Sequence, residues 1–300
     1  MIERMNNRTD PKYQEMVLKQ KSQDDPKEVA IRNKIRDLVL REPWAREAFE
    51  NIHQMQIEFL RTAAQNIANP NFVHDEAQAV LGEIADEVRS EIVEGKELLS
   101  KIPKGSPVII ATNHFGAYKL LGIDPKKDLG VDIPGYDSMY PYLMYFAALK
   151  PVTDALGDNL YYSSNDFPGV FGEIHSAAGF IHVPALAESK TGALIEQTRQ
   201  ALEKHPNAGI VVFPEGTTSG KPSGNGPYHQ EPYKTGGYVV AAELGVHILP
   251  IAQYFDPQKG YQLKVFEPFV PEKGTKETFA AYAEKNRAEI QAWFDERLAN

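Results

Sequence analysis

Apolar residues recur at helical spacing through the first hundred positions and in short β-branched runs after them. Between Pro43 and Asn69, the residues Ala45, Phe49, Ile52, Ile57, Leu60, Ala63 and Ile67 mark one face, the recurrence of an amphipathic helix. A second stretch, from about Asp75 to Ile102, carries Ala79, Leu81, Ile84, Val88, Ile92 and Leu98, and a third, shorter one spans Pro26 to Leu40. The first 25 residues are too polar to bury a face and are expected to be loosely held.

After Pro103 the pattern changes. Runs at Val108-Ile109-Ile110, Phe180-Ile181-His182-Val183, Ile210-Val211-Val212-Phe213, Val246-His247-Ile248-Leu249 and Leu263-Lys264-Val265-Phe266 read as strands. Helical patterns over Gly192–Lys204, Gly236–Leu244 and about Thr275–Leu298 lie among them. Strands alternating with helices predict an α/β fold: a mostly parallel sheet flanked by helices, preceded by an N-terminal helical region. The organisation expected is a helical region over 1–102 and an α/β domain over 103–300. Glycine usage agrees, since Gly82 and Gly95 are the only glycines in the first hundred residues, out of 22 in the chain.

Composition removes several kinds of chemistry. The 300 residues include no cysteine, which excludes disulfides, a thiolate nucleophile and Cys-ligated zinc. A net charge of -9 argues against nucleic acid as a partner. No apolar stretch reaches the roughly 18 to 20 residues that span a bilayer. The longest uncharged apolar-aromatic run, Ser138 to Leu149, is broken by Pro141. The first residues lack the apolar core of a secretory signal, so the expected location is the cytoplasm.

Two strand ends carry candidate chemistry. The first predicted strand leads into Asn113-His114-Phe115-Gly116, and Ile210–Phe213 leads into Pro214-Glu215-Gly216-Thr217-Thr218. In parallel α/β sheets the carboxyl ends of strands form the ligand crevice, so these two turns are expected to face each other. A histidine there supplies a base near neutral pH. Backbone N–H groups of a glycine-containing turn can hold an anion or a developing oxyanion.

Other motifs fail on spacing. Gly216 to Pro222 has three residues between its glycines where a phosphate-binding P-loop has four, and Pro222 stands where Ser or Thr would coordinate magnesium. His53 and Glu58 lie on different sides of a helix. No HExxH or GxSxG occurs, which leaves metal ligation without support and a serine nucleophile resting on Ser164, Ser219 or Ser223 individually. Half of the 14 tyrosines, namely Tyr118, Tyr136, Tyr140, Tyr142, Tyr145, Tyr161 and Tyr162, fall between residues 118 and 162. They suit an amphipathic wall for an acyl chain, a lip in peripheral contact with the inner face of a membrane, or packing between sheet and helix.

The ordered set of motifs resembles the glycerolipid acyltransferases, the superfamily of glycerol-3-phosphate and lysophosphatidate acyltransferases. Phe213-Pro214-Glu215-Gly216-Thr217 is similar to that family's FPEGT block. Asn113-His114 resembles the block with the catalytic histidine, and Gly179-Phe180-Ile181 sits where the second block falls. Lys234-Thr235-Gly236-Gly237 and Leu249-Pro250-Ile251 resemble its closing segment. The resemblance covers roughly residues 105 to 270, and the helical region before it is placed as in the soluble plastid enzymes.

The chain departs from the family pattern at three positions. The family's His-x4-Asp motif is degenerate here, with Lys119 in place of the aspartate that orients the imidazole. His182-Val183-Pro184 follows the second block where an arginine is usual, and Thr218 replaces the arginine after FPEGT. In serine proteases, disabling the carboxylate partner of the histidine lowers turnover about 10⁴-fold. Asp124, Asp137, Glu173 or Glu215 could orient His114 instead, while Lys119, Lys190 and Lys221 could neutralise an anion.

The resemblance implies an acyltransferase of lipid metabolism, moving a fatty acyl group from acyl-CoA or an acyl carrier protein to a lipid or small alcohol, without a cofactor. It implies His114 and Glu215 as catalytic residues. Asn113, Lys119, His182, Phe213, Pro214, Gly216, Thr217, Thr218 and Lys221 are implied on the substrate side. The alternative is a non-catalytic acyl- or lipid-binding protein on the same scaffold.

Overall fold

Proline and asparagine set the bounds of the first two helices. Helix α1 (Pro43–Gln65) has proline in its first turn, where a missing N–H costs no helical bond. It ends at Asn66, whose side-chain amide donates to the Thr62 carbonyl at 2.8 Å. Asn69 then caps α2 (Pro70–Glu87) by accepting from the Phe72 N–H at 3.4 Å. Phe49, Ile52, Leu60 and Ala63 of α1 and Leu81 and Ile84 of α2 are buried, as their spacing predicts, whereas Ala79 of the expected second stripe is exposed. The computed structural model describes residues 26, 30, 41–115, 143–157, 159–165, 169–183, 190–217, 219–220 and 222–299. All but two residues of the short helix expected at Pro26–Leu40, and the whole polar segment before it, lie outside that set.

The second predicted helix stops short of Ile102. Arg89 takes a φ of 51°, outside the right-handed helical region, and the chain then enters strand β1 (Glu91–Glu94), followed by a 3-10 turn at Lys96–Lys101. Ile92 and Val93 fit the helical period, yet β1 pairs in parallel with β7 (Gly260–Val265), with Ile92 opposite Leu263. A β-branched pair with a strand waiting beside it does better in a sheet than at a helix end. The sheet therefore takes its first strand from the part of the sequence expected to be helical.

Beyond β1 the chain runs through β2 (Val108–Thr112), α3 (Met144–Ala147), α4 (Lys150–Leu156), β3 (Asn159–Asn165), α5 (Gly169–Ala177), β4 (Phe180–Val183), α6 (Lys190–Lys204) and β5 (Ala208–Val212). It closes with α7 (Gly236–Leu244), β6 (His247–Asp256), β7 and α8 (Lys276–Ala299). The seven strands stand in the order β1-β7-β6-β2-β5-β3-β4. Every pairing is parallel except β6 with β7. Strand β3 escaped the sequence reading because Asn159, Ser163, Ser164 and Asn165 dilute its apolar character. Its backbone pairings to β5 and β4 define it.

Both faces of the sheet are covered. On β2, Val108 and Ile110 join the core formed with α1 and α2, while Ile109 and Ala111 join a second core with Leu194 of α6 and Tyr238 and Ala241 of α7. All four β2 residues are at most 1% exposed, and each such branched side chain contributes about 1.5–3 kcal/mol. Helix α8 supplies Ile290, Trp293 and Phe294 to the first core and Phe279 and Ala283 to the second. Among the described residues, no helix is long and apolar enough to cross a membrane.

Candidate functional site

Strands β2 and β5 are parallel neighbours in register, Val108 opposite Gly209 through Ala111 opposite Val212. Their carboxyl ends therefore deliver Asn113-His114 and Phe213-Pro214-Glu215 side by side. The two turns do meet.

His114 is held along its main chain. Its N–H donates to Glu215 Oε1 at 3.2 Å, and its carbonyl accepts from the Ser219 N–H at 3.1 Å. Its ring lies against Phe213, with centroids 4.4 Å apart. The neighbours on either side are fixed too. Asn113 is fully buried, and its amide accepts from the Gln253 N–H at 2.8 Å and donates to the Gln253 carbonyl at 3.1 Å. The side chain thereby continues the β2–β6 ladder past Thr112, which lies opposite Ile251. Phe115 is buried and stacked on Tyr228, centroids 5.3 Å apart and planes 12° from parallel. Between two anchored neighbours, His114 remains partly exposed.

Glu215 is a buried hub, 2% exposed. Three donors converge on its carboxylate: the His114 N–H, the Ser219 hydroxyl at 2.6 Å and, on the other oxygen, the Glu231 N–H at 2.9 Å. Burial pushes its carboxyl up to about 7, against the lowering effect of those three hydrogen bonds; the Glu231 charge adds to the rise. Tyr233 faces the same carboxylate, and its phenol is raised by burial and then by the charge of Glu215.

The turn after Glu215 is built around glycine. Gly216 adopts a φ of 62°, a left-handed conformation that glycine takes without strain, and a Cβ there would strike the Lys234 ammonium. The Lys234 N–H donates to the Pro214 carbonyl at 2.8 Å. Pro214 itself is buried, Gly216 is exposed and Thr217 is intermediate.

Two expectations change. The Gly216 N–H closes the turn onto the Phe213 carbonyl at 2.9 Å, so it is already engaged, and the oxyanion role expected of this turn passes to the N–H of another residue such as Thr217. Asn113, expected on the substrate side, is buried, and both ends of its amide are taken up by the Gln253 main chain. His182 lies on β4, opposite Ser164 of β3, with β3 standing between β4 and β5. Glu173 is exposed on α5. Lys119, Thr218, Lys221, Asp124, Asp137, Tyr118, Tyr136, Tyr140 and Tyr142 lie outside the described residues, as do the side chains of His182, Lys190, Tyr145, Tyr161 and Tyr162.

Ser219, Glu231 and Gln253 are parts of this arrangement that sequence reasoning missed as supports of the histidine. Ser219 follows Glu215 by four residues, inside what reads as a flexible loop. The other two carry no local signal, because their contacts cross the fold. Among the described residues, no group of three His, Asp or Glu side chains comes together as a metal site would.

No protein-family model matches this chain. No curated protein sequence matches it either. Among solved structures, the chain is similar to the crystal structure of the 1-acyl-sn-glycerophosphate acyltransferase PlsC from Thermotoga maritima. The TM-score is 0.46 and the identity 18%, over 85% of this chain and 96% of that one.

Proposed function

We propose that this protein is an acyltransferase that moves a fatty acyl group from a thioester, acyl-CoA or acyl carrier protein, to an alcohol in lipid metabolism. The observation that carries the reading is the hydrogen bond from His114 to Glu215, which joins the two sequence blocks that resemble the acyltransferase pattern. Composition agrees, since direct transfer needs no cysteine and no covalent intermediate.

In this reading His114 accepts the proton of the acceptor hydroxyl as its oxygen attacks the thioester carbonyl. The Thr217 N–H stabilises the oxyanion. When the carbon–sulfur bond breaks, the histidine returns its proton to the departing thiolate. Glu215 contributes by placing the histidine through its main chain. The expected site of action is the cytoplasm, at or near the inner face of a membrane.

The test is acyl transfer by purified protein from both donor types to a panel of alcohols, with His114→Ala alongside. A variant as active as the parent ends the histidine mechanism. A second reading, a non-catalytic acyl- or lipid-binding protein, draws on Lys119 standing where the family pattern has its aspartate. It predicts a lipid that co-purifies, detectable by mass spectrometry, and no turnover with any donor.

A further inference from the structure

His114, Glu215 and Ser219 form a closed ring of three hydrogen bonds. The His114 N–H reaches Glu215 Oε1 at 3.2 Å, the Ser219 hydroxyl reaches the same oxygen at 2.6 Å, and the Ser219 N–H returns to the His114 carbonyl at 3.1 Å. Both polar groups of the His114 main chain are thus held by one acid and one serine. Ser219 is fully buried, and its hydroxyl is spent on the Glu215 carboxylate. It is also locked from the far side of its loop, since Gly220 takes a φ of 69° with its carbonyl accepting from the Gly224 N–H at 2.8 Å.

We infer that Ser219 is a positioning residue for His114, closing through Glu215 a clamp on the histidine main chain that does the orienting work for which this sequence has no aspartate at position 119. The inference rests on the acyl-transfer reading for its purpose, but the clamp itself does not. A histidine oriented by a carboxylate at its ring is aligned through one nitrogen. Here the peptide on both sides of the side chain is fixed, and Phe213 packs on the ring. The 2.6 Å contact is short, as a hydroxyl bonded to a charged oxygen is, and it favours the ionised carboxylate. Among the described residues, the groups facing that carboxylate are the Ser219 hydroxyl, the His114 and Glu231 N–H groups, the Glu231 carboxylate and Tyr233.

Ser219→Ala removes the hydroxyl and leaves the main-chain bond to His114 in place, so it isolates one side of the ring. Two measurements decide the matter. In the first, the His114 amide resonance is followed by NMR from pH 5 to 9. The parent should titrate near pH 7 with Glu215, and the variant should titrate higher, because a bond to the ionised acid is lost. In the second, acyl-transfer kinetics should show kcat down about ten- to a hundredfold with KM within about twofold, the loss expected of one charge-assisted bond that fixes geometry.

An unchanged His114 titration, or an unchanged kcat, overturns the inference. A shifted titration in a protein whose parent transfers no acyl group keeps the clamp and sinks the acyl-transfer reading. If the variant does not fold, amide exchange in the parent decides. The His114 and Ser219 amides should be protected well beyond that of Thr217, and exchange as fast as that exposed turn refutes the clamp.

Discussion

His114 and Glu215 are 101 positions apart and share one hydrogen bond, from the main-chain N–H of the histidine to the carboxylate at 3.2 Å. The bond exists because β2 and β5 run parallel and in register, so that the residues just past each strand emerge together. It places a buried acid beside the candidate base without using the base's ring. The acid also stands at the meeting point of four segments: the end of β2, the end of β5, the loop at Ser219 and the chain at Glu231.

Glu215 should make stability fall as pH rises from about 4.5 to about 7. Its folded value is raised from 4.5 to about 7, so over that range the native state holds a proton that the unfolded chain has lost. The stabilisation is fully present below 4.5 and is lost as pH passes through 7, a swing of about 3 kcal/mol. Urea unfolding at pH 5 and pH 8 measures it. Glu215→Gln should lack this part of the slope, and an identical pH dependence in the two proteins refutes it.

Asn113 should prove structural. Asn113→Ala leaves the Gln253 N–H and carbonyl buried without the partners seen at 2.8 and 3.1 Å, at a cost of about 2–4 kcal/mol. Asn113→Asp keeps an acceptor but sets a carboxylate oxygen against the carbonyl, and should be at least as damaging. Chemical denaturation tests both. A loss below about 1 kcal/mol in the alanine variant would return Asn113 to the substrate side.

Two glycines with similar φ should respond differently to alanine. A Cβ at Gly216 meets the Lys234 ammonium, the mobile end of a long side chain, whereas one at Gly220 meets the Gly226 carbonyl oxygen. Gly216→Ala should therefore cost about 1–2 kcal/mol, the left-handed penalty alone. Gly220→Ala must displace the loop that carries Ser219, and should cost about 3 kcal/mol or more. Thermal unfolding of the two variants side by side gives the order, and the reverse order defeats the argument.

The acceptor should be less anionic than the phosphorylated substrates of the family that the motifs resemble. Arginines suited to bidentate contact with phosphate are replaced at the matching positions, by Thr218 in one block and by His182 or Pro184 in the other. Lysines at 119 and 221 offer point charges without the planar fork. Rates on matched phosphorylated and unphosphorylated alcohols should favour the latter, and a strong preference for the phosphate ester sinks the prediction.

Local pattern was enough for the fold class and for five of the seven strands, all but β1 and β3. The β-branched runs at 108–110 and 210–212 read as strands buried on both faces, since branched side chains favour a sheet, and the spacing of Phe49, Ile52 and Leu60 read as a helix face. His114 and Glu215 were legible as candidates because each follows directly on such a strand. Tertiary structure decided the rest, wherever the deciding partner is far away in the chain. Ile92 and Val93 fit a helical stripe until Leu263 lies alongside as a strand. Asn113 looked like a ligand residue until Gln253, 140 positions later, took both ends of its amide. Ser219 read as part of a flexible loop, since a hydroxyl acquires meaning only from the acid and the peptide that folding brings to it. Secondary structure follows from a period that neighbouring residues share. A hydrogen bond between β2 and the loop beyond β5 has no period, and only the register of two strands brings it about.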